Sequence, residues 1–167
     1  MRLSTYIVLF VLASGLACGT THAADLPVAL VSESSLPFSL SPAHFDNSPS
    51  NFDNSISNFD NSSSNVDNSE SNFENSASNY ENGPNGKRRL IYNEDGTSKF
   101  VGYYVAAKNG TTNFYSPSGK RMFYNPKKGF GVFGAKDGDF CGALVRVKGE
   151  ISLALTEHGA KVLFLSQ

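Results

Sequence analysis

The chain predicts an all-β fold: a small antiparallel meander of about eight short strands in four hairpins, preceded by a disordered repeat region. Three observations carry this reading. Glycine-bearing turn signals recur through the C-terminal half, at Asp95-Gly96, Asn109-Gly110, Ser118-Gly119, Lys128-Gly129, Asp137-Gly138, Lys148-Gly149 and His158-Gly159. The runs between them are rich in aromatic and β-branched residues. No stretch shows helical periodicity. Favoured hairpin turns need positive φ, which glycine adopts freely, so short strands with glycine turns at this interval read as a meander.

The expected strands, in order, are Arg89–Asn93, Lys99–Ala106, Thr112–Tyr115, Arg121–Tyr124, Phe130–Phe133, Phe140–Val147, Ile151–Leu155 and Lys161–Leu165. Pro117 and Pro126 fall at turns or strand ends, where the missing N–H is tolerated. A longer period underlies the turns. Lys99-Phe-Val-Gly-Tyr-Tyr-Val105 matches Asp139-Phe-Cys-Gly-Ala-Leu-Val145, and alternate turns share a lead-in. A lone hairpin cannot bury its apolar face, so several must stack or close, and closure also removes exposed edges. The degenerate hairpin repeat resembles the small domains described as four-fold β-flowers. That resemblance implies either four hairpins about a pseudo-fourfold axis or a closed barrel, and no defined activity.

Charge divides the chain. Residues 24–86 hold nine acids and no Lys or Arg, whereas residues 87–167 hold thirteen Lys and Arg against six acids, so a net charge of −1 hides two segments of opposite sign. Four parts follow. Residues 1–23 read as a signal peptide: Arg2, an apolar core over residues 6–13 and Thr21-His22-Ala23, with cleavage after Ala23. The rival reading is an uncleaved membrane anchor, but the core is short for one. Residues 24–44, with Pro27, Pro37 and Pro42, read as a linker. Residues 45–86 hold an acidic heptapeptide repeat of the form aromatic-acid-Asn-Ser-x-Ser-Asn. Residues 87–167 form the basic β domain.

The repeat anchors are Phe45, Phe52, Phe59, Val66, Phe73 and Tyr80, each followed by an acid. A coiled coil needs two apolar positions per heptad and this unit has one. Ser and Asn compete with helix by bonding their own backbone. With so little apolar surface the tract is expected to be disordered. It reads first as a spacer expanded by slippage, and second as a multivalent ligand with six weak stickers.

No catalytic, cofactor or metal motif is present. Cys18 leaves with the leader, so Cys141 is the mature chain's single cysteine and no disulfide framework exists. A Cys141–His158 nucleophile pair is formally available, but Cys141 reads better as a small strand residue and His158 as a turn residue. Asp137 and Asp139 flank Gly138 without the rest of a calcium loop. Lys120-Arg121, Lys127-Lys128 and Arg146/Lys148 interleave with Phe114, Tyr115, Phe123 and Tyr124, a pattern open to nucleic acid or another polyanion through phosphate contacts and stacking. The plainer reading puts those aromatics in the core. The acidic repeat is also free to fold back over the basic face. Asn61 and Asn109 head Asn-x-Ser/Thr sequons, acceptors for N-glycosylation in a secreted chain.

The seam Lys87-Arg88-Arg89-Leu90 admits a dibasic cleavage site, a short nuclear-import patch, or simple charge at a domain entrance. A fourth reading combines it with its surroundings. A leader, an unstructured region, Arg88-Arg89-Leu90 followed by Glu94-Asp95, and a compact C-terminal domain resemble the RxLR-type secreted effectors of plant-infecting oomycetes. Ile91 stands where that motif has its second Arg, and a β domain departs from the helical domain typical of the family. The resemblance implies secretion, entry into the host cytoplasm or nucleus, and non-catalytic binding of a host protein that alters immunity or cell death. The alternative is an extracellular adhesive protein with a repeat stalk and a β head. Neither reading calls for a cofactor or an integral membrane segment.

Overall fold

The computed structural model describes residues 25–167 apart from residues 63, 70, 84, 85, 87 and 148. The leader with its cleavage point after Ala23, and Lys87, lie outside the described residues. Eight strands close into a barrel in sequence order: β1 (Asp25–Leu30), β2 (Arg89–Glu94), β3 (Thr97–Ala106), β4 (Thr112–Tyr115), β5 (Arg121–Asn125), β6 (Gly131–Gly134), β7 (Phe140–Val147) and β8 (Glu150–Leu155). Strands β2 to β8 form the expected antiparallel meander. Every strand contributes to one buried cluster, among them Val28, Leu90, Phe114, Phe123, Val132 and Leu155, which is therefore the barrel's interior.

Two expectations are corrected here. The eighth strand is not Lys161–Leu165 but β1, from the stretch read as a linker. It pairs parallel with β2, Asp25 opposite Arg89 through Val28 opposite Tyr92, and parallel with β8, Val28 opposite Leu153 through Leu30 opposite Leu155. Pro27 lies ahead of the residues that pair with β8, so its missing N–H costs no bond on that side. Arg89 clamps the start of β1 with two bonds to the Asp25 carboxylate, each 2.7 Å. Residues 87–167 are thus not a self-contained domain, and the arrangement is a closed barrel with one inserted parallel strand, not four equivalent hairpins.

The chain ends in a helix, α1 (Glu157–Leu165). Thr156 caps it, its side chain accepting a bond from the Gly159 N–H. Gly159 packs onto β7, where a Cβ would lie 2.1 Å from the Cys141 carbonyl oxygen. Leu163 enters the interior cluster, Phe164 meets Tyr92 edge-on at 5.4 Å, and the Gln167 amide donates to the Val101 carbonyl at 3.1 Å.

The internal sequence match has a structural cause. Gly102 and Gly142 sit beside register shifts, with φ of 149° and 155°. A side chain at either would drive into the neighbouring strand, 2.2 Å from the Tyr115 oxygen and 2.1 Å from the Ala154 oxygen. The shared Phe-x-Gly pattern marks two bulges that bend the sheet.

Because β1 and β2 are parallel neighbours, the chain between them must cross over. It does so as a belt round the outside of the barrel. The 3-10 turn Phe38–Leu40 contacts β7 and Phe45–Asn47 contacts β6; Asn54, in the next turn, meets Tyr124 of β5. Asn61 and Asn68 meet the β4 segment, and the turn Phe73–Asn75 contacts β3 before the chain enters β2. A chain beginning at residue 87 is expected to lack a stable fold, since β8 and β2 then have no strand between them. Amide dispersion and a thermal melt, compared with residues 25–167, check this.

Candidate functional site

The heptapeptide tract is not disordered. It is a coil of six 3-10 turns, at Phe45–Asn47, Phe52–Asn54, Phe59–Asn61, Val66–Asn68, Phe73–Asn75 and Tyr80–Asn82. The features that argued for disorder build it. The last Asn of each unit caps the next turn: Asn51 Oδ1 accepts from the Asp53 N–H at 3.0 Å, and Asn58, Asn65, Asn72 and Asn79 do the same one repeat on. His44 takes that role at the start through Nδ1. The Ser closing each of the first five turns accepts from the N–H two residues on, as Ser48 does from Ser50 at 3.1 Å.

The third residue of each unit points inward. Asn47, Asn54, Asn61, Asn68, Asn75 and Asn82 are all buried. From Asn54 onward each donates through Nδ2 to carbonyls eight and six residues back, as Asn61 does to Asp53 at 2.7 Å and Ser55 at 2.9 Å. Successive coils are therefore joined by side-chain amides. Their oxygens face the barrel. Asn47 Oδ1 accepts from the Phe130 and Gly131 N–H groups at 2.8 and 2.9 Å, Asn61 Oδ1 from the Thr111 hydroxyl at 3.1 Å, and Asn68 Oδ1 from the Asn113 amide. The Tyr124 and Tyr115 hydroxyls donate to the carbonyls of Asn54 and Asn68. Asn75 Oδ1 and Asn82 Oδ1 are buried without a hydrogen-bond partner.

What the belt covers is a second, polar-aromatic face outside β3–β6. Tyr103 stacks on Tyr115, centroids 5.1 Å apart, beside Val105. Arg121 lies over Tyr124 at 5.2 Å and donates twice to Asn113 Oδ1, while its Nη1 is buried without a partner. Burial pulls the guanidinium down to about 10, which leaves it charged at neutral pH.

What the belt exposes is a row. Phe45, Phe52, Phe59, Val66, Phe73 and Tyr80 are each 62–70% exposed, one per coil. Each is followed in sequence by an acid, and among the described residues only Asp46 and Glu74 of these acids lie within ion-pair distance of a basic group. Isolated exposed apolar residues are ordinary, but six at one position of a repeated unit are not.

Other sequence candidates fall as follows. Phe114, Tyr115, Phe123 and Tyr124 are fully buried, so none can stack on a base and that part of the nucleic-acid expectation is corrected. Asn61 is 1% exposed and its amide nitrogen holds two carbonyls, so a glycan at Asn61 and this coil exclude one another. Asn109 is half-buried, with its amide nitrogen on the Asp60 carbonyl at 2.9 Å. Leu90 is a core residue, Arg89 is held by Asp25, and Arg88 lies 3.7 Å from Glu74, so a receptor reading this motif meets it within a barrel strand. Cleavage there would cut the belt's covalent link to β2 while leaving β1 paired. Cys141 is buried and its thiol pushed up to about 12, by burial first and then by Asp137 and Asp139. His158 is exposed on α1, beside those same carboxylates, with one ligand atom from each of the three within 4.8 Å of the others. Spacing alone does not show that His158 joins them, because the sequence reads as a turn at His158-Gly159 and a strand over Lys161–Leu165, where the structure has α1. Among the described residues, no helix is long and apolar enough to cross a membrane.

Asn68→Ala removes bonds to two carbonyls and to Asn113, and should cost about 2–4 kcal/mol, against about 1–2 kcal/mol for Asn75→Ala, whose oxygen has no partner; urea denaturation of both variants measures the difference. Burial raises the folded-state pKa of Cys141, Tyr104 and Tyr124. The unfolded chain therefore ionises first, and the stability these groups contribute is intact below the ordinary thiol value of 9.0 and lost as pH rises towards 12. Arg121, shifted down, opposes this only above about 10. The melting temperature should hold from pH 7 to 8.5 and fall above pH 9, as a thermal-melt series would read.

No protein-family model, no curated protein and no solved structure matches this chain.

Proposed function

We propose that the protein is an exported, non-catalytic binding protein of the RxLR-effector type, which engages a host protein through the outward row of the belt and so alters host immunity or cell death. The observation that carries this is the row itself. Six apolar residues stand in solvent at one position of a repeated unit, on a coil pinned to the barrel by its opposite side. Fixing the row beforehand removes the ordering cost that a floppy array of stickers would meet on binding. The Asn of each unit are engaged in capping, coil-to-coil bonds or docking, and the row takes part in none of the three.

The effector reading draws its address from the leader and from Arg88 and Leu90, with the host cytoplasm or nucleus as destination. The adhesive alternative used the repeats as a stalk holding a head away from a surface. A belt wrapped on the barrel has no such reach, and this favours the first reading.

The test is expression of residues 25–167 inside plant cells, scored for cell death and pathogen growth, beside a variant carrying Phe52→Ser, Phe59→Ser and Phe73→Ser. Each side chain is more than 60% exposed, so the variant should fold as the parent does, with unchanged circular dichroism. The parent is expected to change the response and the variant to lose most of that change. Equal responses from folded parent and variant would remove the row from the function.

A further inference from the structure

We infer that the open end of the barrel is a second binding site, independent of the row, for a small amphipathic acid whose apolar body lies in the mouth and whose anionic head meets Arg146. Strand order defines the two ends. At one end β1, β2, β4, β6 and β8 begin while β3, β5 and β7 finish; at the other the reverse holds. Helix α1 crosses the second end. It starts against β7, where Gly159 packs on Cys141, and it finishes near β2 and β3, where Phe164 meets Tyr92 and Gln167 bonds to Val101. Leu163 fills the interior beneath it. Among the described residues no helix crosses the first end, and a cavity of about 470 Å³ opens there. Leu26 of β1, Leu144 of β7 and Ile151 of β8 line it on one side, Tyr104 of β3 and Phe114 of β4 on the other. In the closed order β3 and β4 stand opposite β7 and β8, so a cavity lined by both pairs is the barrel's mouth and not a crease on its outside. An eight-stranded barrel is wide enough either to be filled by its own side chains or to hold one small ligand. This one is filled at the helix end and open at the mouth.

The lining selects the ligand. Leu26 and Phe114 belong to the buried interior cluster and make the floor, Tyr104 and Leu144 pack half-buried against it, and Ile151 is 44% exposed at the rim. An apolar body covers this surface, in a volume within the roughly 300–1,000 Å³ of small-molecule sites. The head is chosen by charge. Arg146 also lines the mouth, two residues on from Leu144 and so on the same face of β7. Its Nη1 donates to the Gly149 carbonyl at 2.7 Å, which fixes the guanidinium at the rim, and no carboxylate among the described residues lies within ion-pair distance of it. Of the two acids at the mouth, Asp25 is held through both oxygens by Arg89. Glu150 precedes Ile151 in β8, and strand alternation sets it on the opposite face. The Tyr104 and Thr112 hydroxyls, on the far wall, add neutral donors. An anionic head thus finds a cation without a carboxylate partner, whereas a cationic head finds its nearest carboxylates taken or turned away.

The experiment follows the fluorescence of anilinonaphthalene sulfonate, an aromatic body with one anionic head, on residues 25–167 of this chain, and its displacement by decanoate, decanol and decyltrimethylammonium below their micelle concentrations. The dye is expected to brighten on binding. Decanoate should displace it at about tenfold lower concentration than decanol, with the ammonium weakest. Arg146→Gln should bring decanoate level with decanol and leave decanol unchanged. Ile151→Asp, at an exposed rim position, should weaken the dye, decanoate and decanol alike with unchanged circular dichroism. No brightening, an ammonium that competes as well as decanoate, or either variant binding decanoate as the parent does overturns the inference. The variant carrying Phe52→Ser, Phe59→Ser and Phe73→Ser should bind the dye as the parent does. Loss of the dye in that variant moves the ligand to the row and overturns the inference as well. The plant-cell response to the row is scored separately, so each proposal can fail while the other stands.

Discussion

The buried carboxamides at the third position of each repeat hold this molecule in one arrangement. An amide has two donors and one acceptor oxygen, and leaving them unpaired in a dry interface costs more than the bonds gain. Here the nitrogen joins one coil to the coil before it, while the oxygen, at Asn47, Asn61 and Asn68, joins the coil to the barrel. No apolar side chain could do both, so a tract with one apolar residue in seven makes a fixed structure. Stability comes from satisfied polar groups within the belt, and from apolar burial inside the barrel and in the Tyr103, Val105 and Tyr115 cluster beneath the belt.

The dependence runs both ways. The outer face of β3–β6 carries tyrosines, Asn113 and Arg121, groups that bury poorly against hydrocarbon but well against a coil rich in carbonyls. The belt covers that face, and the Tyr115 and Tyr124 hydroxyls find acceptors in it. Arg121 is the exception that shows the margin: two of its nitrogens reach Asn113, and the third has no partner. The acidic repeat and the basic domain do meet, but amide and hydroxyl bonds carry the contact; among the described residues one long ion pair, Arg88–Glu74, stands at its far end.

The meander was legible because glycine turns and aromatic runs act locally: Thr112–Tyr115 and Phe140–Val147 could be read residue for residue. Three features were not, each for a physical reason. Strand β1 is six residues long, contains Pro27 and is far in sequence from both partners, which begin at Arg89 and Glu150, so no local pattern betrays it. Helix α1 is nine residues long with Gly159 in its first turn, and its capping signal, Thr156 before Glu157, was masked by reading His158-Gly159 as one more hairpin turn. The coil was hidden by its own composition. Ser and Asn do bond their own backbone, as expected, but a seven-residue period lets those local bonds repeat in register and stack. The exposed row was visible as a spacing, Phe45 to Tyr80 in steps of seven, yet not as a surface until the inward Asn showed which side faced out.

Register also bears on why the tract has six units. A spacer grown by slippage gains or loses units freely, since each is equivalent to the next. In the belt the units are not equivalent. Asn47 serves the entry to β6, Asn61 serves Thr111 and Asn68 serves Asn113, while the two ends are fixed by β1 and β2 as parallel neighbours. One extra unit leaves β1 and β2 where they are and forces either a seven-residue bulge or a shift of every downstream amide onto a different barrel group. The second outcome, for a unit added ahead of Asn68, moves Asn68 from Asn113 to where Asn75 now stands, a place at which the amide oxygen has no partner. Near-identical repeats are thus held to a fixed number by a non-repeating partner, and the outward row inherits a fixed length from contacts on the side it does not share.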